Sequence, residues 1–309
     1  MGRTPVPKRQ HWVPRFYLRY FKVPDANPRL EQVWIFHRKE GEPILTAIEN
    51  IAVGKHLYSP KRRDGTRDPR LERKLADLES LLSRLWPKLA SGFVNLASDG
   101  VRKGIALFLA VQFLRHPDRR DLVSDSRRRI IEFIRQQPVD SDGVPDIDTL
   151  QVGSRVVKLD KKGWQSYADA GPEFDEQAWH TIVEKGAFRY AKMLLEKRWS
   201  MVFIDDPLFV TSDHPLFVAN PDLSRHQLGG KNAVLMFPVS PTRVLCFDNI
   251  AAPGNLYYHL GNDQADLYNM LTWVNTEAFM ISSRDVYDVL NGIGKLRREF
   301  EEETRSHGA

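Results

Sequence analysis

The sequence predicts an α+β fold in which a helical middle section packs on a mainly antiparallel sheet formed by N-terminal and C-terminal strands. The first observation is helical periodicity over residues of about 70–200, and the second is a series of short apolar runs over about 201–285. The third is the strand-poor start of the chain. We expect one large domain over residues 10–295, with flexible tails at 1–9 and 296–309.

The first seventy residues predict a short helix, a strand and a basic loop. Pro14 stands in an aromatic-rich segment, where its fixed backbone angle can open a helix. Residues 33–36 form an apolar run between turn residues and predict a strand, and a second extended stretch is expected over 44–53. Residues 60–70 combine basic side chains with Asp-Gly and Asp-Pro pairs, which are typical of an exposed loop.

Two long helices are expected in the middle of the chain. Leucines recur at helical spacing from Leu71, which predicts an amphipathic helix to about Trp86 that Pro87 ends or kinks. The helix expected over 101–115 differs, because its second half is apolar apart from Gln112 and is therefore buried on all faces. The remaining predicted elements are helices over 119–136, 176–199 and 262–274, strands over 201–204, 209–211, 216–218, 234–237, 244–247 and 279–282, and a polar connection over 137–175.

The composition predicts a soluble cytoplasmic protein. No apolar run approaches the ~18 residues of a membrane span, and the first residues lack the apolar stretch of a signal segment. Cys246 is the only cysteine, so an internal disulfide cannot form, which is typical of a reducing compartment. Cys246 and the histidines do not have the sequence spacing of zinc ligands, and the sequence contains no dinucleotide-binding fingerprint.

Basic side chains are concentrated in the first part of the chain. The formal net charge is +5, yet residues 1–135 hold 28 basic and 15 acidic side chains. Such asymmetry favours a polyanionic partner, and we expect nucleic acid to bind the basic N-terminal half. The alternative is a set of solvated helix faces, since aspartates are interleaved with the basic residues. The densest basic clusters are Lys61–Arg63 with Arg67 and Arg70, Arg119–Arg120 and Arg127–Arg129.

Three polar side chains are expected to be forced into the helical core. Glu79 lies beside the leucine stripe of the first long helix, and Gln112 and Arg115 belong to the apolar second helix. Because an unpaired buried charge is costly, we expect Arg115 to pair with Glu79, with Gln112 filling the remaining hydrogen bonds. The same pair can be purely structural, so a functional and a structural interpretation both stand at this point.

Further candidate groups lie at both ends of the chain. His11 stands in the aromatic segment, where it is either a packed side chain or a proton carrier. Lys55 can bind a phosphate, although it lacks the glycines of a P-loop. Asp213, after a predicted strand, can ligate a metal, act as a base or cap a turn before proline. Its neighbours Ser212 and His214 can contact a substrate, although Ser212 lacks a nucleophile elbow.

Short motifs containing these residues follow one another along most of the chain. They are His11-x-Val-Pro-x-x-Tyr-Leu-x-x-Phe21, Trp34-x-Phe, Lys55-x-Leu-Tyr58, Leu71-Glu72 with Glu79, Gln112-Phe-Leu-Arg115-x-Pro117, Thr211-Ser-Asp-x-Pro215, Phe237-Pro-x-Ser-Pro241 and Asn275. In this order they resemble a family of mostly bacterial proteins catalogued as domain of unknown function 4238, over residues of about 10–285. The resemblance adds Tyr58 and Asn275 to the candidate substrate-binding positions, and His214 stands where the family pattern favours Asn.

We expect these polar groups to converge in one pocket. The protein would then be an enzyme that acts on a phosphate-containing substrate, and more specifically a metal-dependent nucleic-acid hydrolase. Asp213 and Glu79 would ligate a divalent ion such as Mg²⁺ or act as acid and base. His11 would shuttle a proton, and Arg115 would stabilise charge with Gln112 beside it. The alternative is a non-catalytic nucleic-acid-binding or protein-interaction module with a structural Glu79–Arg115 pair. The expected substrate-binding residues are Lys55, Tyr58, Ser212, His214 and Asn275.

Overall fold

The computed structural model describes residues 6–24, 30–39, 41–62, 64–141, 143–152, 155–220, 228–252, 254 and 256–307. Over these residues the chain is α+β, which confirms the fold class that the sequence predicts. The range predicted as one domain divides into two compact units. The first unit comprises residues 1–116 with 184–309, and the second unit comprises residues 117–183.

The described residues form helices and strands with the following bounds. The helices are α1 Arg15–Leu18, α2 Arg70–Ser91, α3 Asp99–Leu114, α4 Pro117–Arg135, α5 Trp164–Ala168, α6 Pro172–Thr181, α7 Ala187–Leu195, α8 Ala265–Asn275 and α9 Val286–His307. The strands are β1 Arg9–His11, β2 Gln32–His37, β3 Ile44–Ala47, β4 Val53–Lys55, β5 Thr149–Val152, β6 Arg155–Lys158, β7 Arg198–Phe203, β8 Thr211–Ser212, β9 Phe217–Val218, β10 Leu235–Ser240, β11 Arg243–Asp248, β12 Leu256–His259 and β13 Phe279–Ser282.

The described residues of the first unit form three sheets, in which β12 against β7 is a parallel pair and the other pairs are antiparallel. A five-stranded sheet in the order β12-β7-β11-β10-β9 is built from the C-terminal half of the chain. A four-stranded sheet in the order β3-β2-β13-β8 joins N-terminal to C-terminal strands, as the sequence predicts. The ribbon β1-β4 is separate from both and carries His11 at the end of β1, opposite Val53.

An aromatic cluster joins α1, α2 and α3 to the five-stranded sheet. Trp86 of α2 is fully buried among Phe16, Tyr17, Phe108 and Phe237, with ring centroids 5.2–6.0 Å from its own. The Trp86 indole Nε1 donates a hydrogen bond to the main-chain oxygen of Val239 at 3.2 Å. Burying side chains of this size is the main stabilising contribution at such a junction. The cluster therefore fixes where α1 and α2 stand relative to each other.

The sequence predicts that Pro87 ends or kinks α2; it lies inside the helix, so it does not end it. Proline removes one i→i−4 hydrogen bond, but the turn beyond it is held by tertiary contacts. Leu89 is buried after the proline, and the main-chain oxygen of Ala90 accepts a hydrogen bond from Ser240 Oγ at 2.9 Å. Arg243 donates to the main-chain oxygen of Ser91, which closes the C-terminal end of the helix. These contacts outweigh the local cost of proline.

The second unit contains α4, the hairpin β5-β6, α5 and α6. Its core is an apolar cluster of Ile131, Ile134 and Trp164, with Leu150 and Leu159 packed against them. The sequence predicts a long, partly ordered polar connection over 137–175, and the structure places the hairpin and α5 there. Each strand of the hairpin has four residues and two apolar side chains, too few to show a periodic pattern.

Two other boundaries differ from the predicted ones. The helix predicted over 176–199 is α6 and α7 joined by a π-helical turn, Ile182–Gly186, and β7 already begins at Arg198. The C-terminal segment predicted as a flexible tail continues α9 as far as His307. Residues 1–5 of the predicted N-terminal tail, residues 25–29 of the predicted turn and Arg63 of the basic loop lie outside the described residues. Among the described helices, we find none that combines the length and the apolar character needed to cross a membrane.

Candidate active site

A pocket of about 330 Å³ opens in the first unit between β1, α1 and α2, beside the end of α3. Its size lies at the lower end of the range for small-molecule sites, about 300–1,000 Å³. Charged groups line it together with the aromatic side chains of Phe16 and Tyr58 and several small side chains. The lining residues are Arg9, Gln10, His11, Arg15, Phe16, Arg19, Tyr58, Glu72, Leu75, Ala76, Glu79, Ser80, Ser83 and Arg115. His11, Tyr58, Glu79 and Arg115 are among the site residues that the sequence predicts.

Arg115 follows α3 and places a guanidinium group in the wall of this pocket. Its side chain is only 1% exposed, and Nη1 donates a hydrogen bond to Glu79 Oε1 at 2.7 Å. Nε donates to the main-chain oxygen of Trp12, also at 2.7 Å. Nη2 is buried and has no hydrogen-bond partner among the described residues. Since buried donors in proteins are nearly always paired, this nitrogen marks a place where a ligand oxygen can bind.

Gln112 lies one turn before Arg115 and points at the same acceptor. Its Nε2 donates to the main-chain oxygen of Trp12 at 2.7 Å, and the side chain is 2% exposed. Gln112 is not among the pocket-lining residues. It therefore acts as a positioning residue: together with Arg115 it fixes the main chain of Trp12, which directly follows His11.

Glu72 and Glu79 stand two turns apart on α2, so their side chains share one face of the helix. Burial and the charge of Glu79 raise the pKa of Glu72 to about 7, and Arg115 opposes this shift. At neutral pH the Glu72 carboxyl group is thus divided between its protonated and ionised forms. A carboxyl group with this pKa can donate or accept a proton near pH 7. Glu79, in contrast, is held in an ion pair by Arg115.

His11 lies on the β1 wall of the pocket. Burial and the positive charges of Arg15 and Arg9 lower its pKa to about 4, so the ring is neutral at pH 7. The ring hydrogen-bonds to the main chain of Glu49 and Ile48, while Nε2 is buried and has no hydrogen-bond partner among the described residues. In a neutral imidazole, a ring nitrogen that donates to a main-chain oxygen leaves the other nitrogen as an acceptor. Nε2 is therefore arranged to take a proton.

Three more arginines surround the opening. Arg9 donates to the main-chain oxygen of Glu49 and to Asn50 Oδ1, which are both neutral acceptors. Arg15 and Arg19 lie one turn apart and share the carboxylate of Glu31, at 3.9 and 2.7 Å. With Arg115, four arginines face two glutamates in the lining. The pocket thus carries a positive potential that favours anionic ligands.

Tyr58 closes the inner end of the pocket and is tied to Arg115. The Tyr58 hydroxyl donates to the main-chain oxygen of Arg115 at 2.8 Å, and burial raises the pKa of this hydroxyl. Its main-chain N–H donates to Gln10 Oε1, while Gln10 Nε2 donates to Ser59 Oγ, both at 2.7 Å. These bonds join β1, the segment that follows β4 and the end of α3. The predicted substrate-binding residue Tyr58 therefore helps to fix the geometry of the pocket wall.

Asp213 does not reach this pocket, which corrects the expectation that it joins the other polar groups there. Its side chain is fully buried and is not among the lining residues. Oδ1 accepts a hydrogen bond from the Glu277 N–H at 3.1 Å, and Oδ2 accepts one from the Ala278 N–H at 2.8 Å. His116 Nε2 lies 3.6 Å from Oδ2. The carboxylate therefore organises the main chain before β13.

The remaining predicted substrate-binding residues also lie away from the pocket. Ser212 Oγ accepts a hydrogen bond from the main-chain N–H of His214, and both residues are buried. His214 packs edge-on against His116, with ring centroids 5.1 Å apart. Asn275 donates to the main-chain oxygen of Leu271 at the end of α8. Lys55 is exposed on β4, opposite Arg9, and is absent from the lining.

The residues present do not fit the magnesium ion expected from the sequence. Within the part of the chain that the structure describes, no group of three or more His, Cys, Asp and Glu side chains could hold a metal ion. Glu79 lines the pocket and Asp213 does not, so the two expected carboxylate ligands are not brought together. We therefore assign no step of the chemistry to a metal.

The structure also identifies pocket residues that the sequence did not mark as a site. Glu72 stands seven residues before Glu79, and that spacing placed both carboxylates on one helix face. The three arginines at the opening were visible only as part of a diffuse basic N-terminal half. Arg15 and Arg19 stand four residues apart after Pro14. This helical spacing is the sequence pattern from which their position on one helix face could have been predicted.

Comparisons with known proteins give a family but no activity. A family model described as "Protein of unknown function (DUF4238)" matches residues 9–286. No curated protein and no solved structure matches the chain. The matched range includes every residue that lines the pocket.

Proposed function

The chain belongs to the DUF4238 family, and we propose that it is an enzyme that binds a phosphate group in the pocket beside Arg115 and transfers protons to and from it. The observation that carries the proposal is Arg115 Nη2, a fully buried guanidinium nitrogen without a hydrogen-bond partner among the described residues, in a pocket lined by three further arginines. A planar guanidinium is well suited to phosphate oxygens.

Glu79 supports this assignment because it satisfies only part of the guanidinium group. Nη1 and Nε are engaged by Glu79 and the Trp12 carbonyl, so the group is held rigidly in one orientation. A donor that is already oriented costs little further reorganisation when charge develops on a bound group. Arg115 is thus the anion-binding residue of the proposed site.

Two groups in the pocket supply the proton transfers. His11 is neutral at pH 7 and offers Nε2 as a general base, while Glu72, with its pKa near 7, offers a proton as a general acid. Positive charge from Arg15 contributes to the low pKa of His11. A bound phosphate would offset that charge and raise the basicity of His11 when the substrate is present.

Nucleic acid is the phosphate-containing partner that the charge distribution favours. Arg9, Arg15 and Arg19 lie at the opening, where they can contact phosphates next to the one bound by Arg115. The free thiol Cys246 is buried and fits a reducing compartment, and we propose a cytoplasmic location on that basis.

The alternative is a non-catalytic module in which the Glu79–Arg115 pair fixes the fold. It is supported by the position of the pair, which joins α2 to the end of α3 and supports the main chain of Trp12. In that case the pocket would bind a phosphate without turning it over.

A panel of phosphomonoesters and phosphodiesters, including nucleic acids, separates the two functions. We expect the wild type to turn over at least one compound, and His11→Gln and Glu72→Gln to lose about 100-fold or more in kcat/KM. Asp77→Asn is the matched control, because Asp77 is an exposed carboxylate of α2 outside the pocket. Phosphate binding without turnover of any compound would establish the binding module, and equal losses in the Asp77 variant would contradict the assigned roles.

A further inference from the structure

We infer that the substrate is single-stranded RNA, cleaved by attack of a ribose 2′-hydroxyl on the adjacent phosphate. The inference rests on the proposed function and names its substrate class. It draws on three features of the pocket: a candidate acid on α2 and a candidate base on β1, a buried guanidinium group held by two hydrogen bonds, and a half-buried aromatic ring in the lining.

The acid and the base match the two proton transfers of this reaction. His11 Nε2 takes the proton of the 2′-hydroxyl while its oxygen forms a bond to phosphorus. The bond between phosphorus and the 5′-oxygen breaks, and Glu72 gives its proton to that leaving oxygen. The products are a 2′,3′-cyclic phosphate and a free 5′-hydroxyl, so no water, oxidant or other co-reactant is consumed.

Between about pH 4 and pH 7, His11 and Glu72 are both in the protonation state that the reaction requires. His11 is neutral above its pKa of about 4, and Glu72 is protonated below its pKa of about 7. An internal nucleophile needs only deprotonation and alignment. The pocket holds both proton-transfer groups and does not need to bind a separate attacking water. This distinguishes RNA from DNA, which has no 2′-hydroxyl.

Arg115 supplies the charge stabilisation that the reaction needs. Negative charge increases on the non-bridging oxygens as the phosphorus becomes five-coordinate. Nη1 and Nε of Arg115 donate to Glu79 and to the Trp12 carbonyl, and Nη2 is the guanidinium nitrogen without a hydrogen-bond partner among the described residues. The anion is therefore stabilised by a group that the fold already holds in place.

Phe16 offers a surface on which a base can stack. Its half-buried ring lines the pocket and is held edge-on by Trp86, with centroids 5.4 Å apart and an interplanar angle of 82°. Phe108 packs against the same ring at 5.7 Å. Leu75 and Ala76 of α2 extend the apolar wall. Proteins bind unpaired RNA bases through such fixed aromatic surfaces, whereas the bases of a duplex are not accessible.

The experiment compares three probes of the same mixed-sequence pool: single-stranded RNA, the same RNA with every 2′-hydroxyl methylated, and DNA. We expect cleavage of RNA in the presence of EDTA, 2′,3′-cyclic phosphate ends by mass spectrometry, and rates at least 100-fold lower for the other two probes. Phe16→Leu should raise KM for RNA several-fold more than it lowers kcat, whereas His11→Gln should lower kcat.

The outcomes separate this inference from the function on which it rests. If the protein binds inorganic phosphate at Arg115 but leaves RNA intact, or cuts DNA and methylated RNA as fast as RNA, the RNA inference is overturned and the phosphate site stands. If inorganic phosphate does not bind either, both are overturned. Products that carry a 2′-hydroxyl and a 5′-phosphate would also overturn the inference, because they require attack by water.

Discussion

Arg115 Nη1 donates a hydrogen bond to Glu79 Oε1 at 2.7 Å, and this ion pair joins the end of α3 to the middle of α2. The two partners are unequal, since the Arg115 side chain is 1% exposed and the Glu79 side chain is 30% exposed. Glu79 thus reaches solvent through the pocket, whereas the guanidinium group is enclosed. The pair orients Arg115, whose Nη2 has no hydrogen-bond partner among the described residues.

Removing the carboxylate should expose the dependence of the buried guanidinium group on its partner. We expect Glu79→Ala to lower the free energy of unfolding by about 2 kcal/mol, below the ~3–5 kcal/mol of a fully enclosed pair because Glu79 is partly exposed. Glu79→Gln, which keeps an oxygen acceptor, should cost less. Urea unfolding measures both, and equal stability of Glu79→Ala and wild type would show that the pair does not anchor α2 to α3.

Glu72 should make the protein less stable as the pH rises. Its folded-state pKa, about 7, lies above the ordinary value of 4.5, so the folded state holds the proton more tightly. The contribution to stability is therefore complete below about pH 4.5 and is lost as the pH rises through 7. Glu72→Gln should be about 1–2 kcal/mol more stable than wild type at pH 8, a value reduced for partial exposure. Urea unfolding at pH 5 and pH 8 tests this, and a difference independent of pH would contradict it.

The rate of the proposed reaction should follow the same two groups. Activity requires neutral His11 and protonated Glu72, so kcat/KM should rise as the pH increases through about 4 and fall as it increases through about 7. Glu72→Gln should abolish the fall on the alkaline side together with most of the rate. A pH–rate profile of the wild type and Asp77→Asn provides the comparison, and an alkaline limb retained in Glu72→Gln would assign that limb to another group.

Asp213 should prove essential for folding and not for chemistry. Asp213→Ala removes the carboxylate that accepts hydrogen bonds from the partly buried N–H groups of Glu277 and Ala278, and we expect a loss of about 1–3 kcal/mol in unfolding free energy. Asp213→Asn keeps one acceptor oxygen and should cost less. At a temperature where Asp213→Asn is folded, phosphate affinity should equal that of the wild type. A large loss of phosphate affinity with an unchanged free energy of unfolding would indicate that Asp213 contributes to the active site.

The Glu79–Arg115 pair could be predicted from the sequence because it depends only on the apolar patterns of two consecutive helices. A guanidinium group in an apolar helix must find a carboxylate, and Glu79 stood at the edge of the neighbouring apolar stripe. The role of Asp213 was not predictable in this way. Its acceptor bonds go to main-chain groups 64 and 65 residues further along the chain, and no pattern in the sequence marks that contact.

Pro87 and Glu72 are two further cases in which the effect of tertiary contacts could not be predicted from the sequence. Proline weakens a helix locally, but contacts from Ser240 at the end of β10 and Arg243 at the start of β11 hold the turn that follows Pro87. The spacing between Glu72 and Glu79 was visible, whereas the raised pKa of Glu72 depends on burial that only the folded chain provides. Helix periodicity and the cost of burying a charge therefore predict how the helices pack. Which residues line the pocket could be determined only from the tertiary structure.

Calorimetric titration of inorganic phosphate at pH 6 is the decisive experiment for the proposed phosphate site at Arg115. Arg115→Lys keeps a positive charge beside Glu79 but removes the guanidinium group, and Arg84→Lys makes the same change on an exposed position of α2 outside the pocket. We expect phosphate to bind the wild type and Arg84→Lys equally, and to bind Arg115→Lys at least about 10-fold more weakly, while all three unfold cooperatively. Equal affinity for all three folded proteins, or no binding to the wild type, would contradict a phosphate site at Arg115.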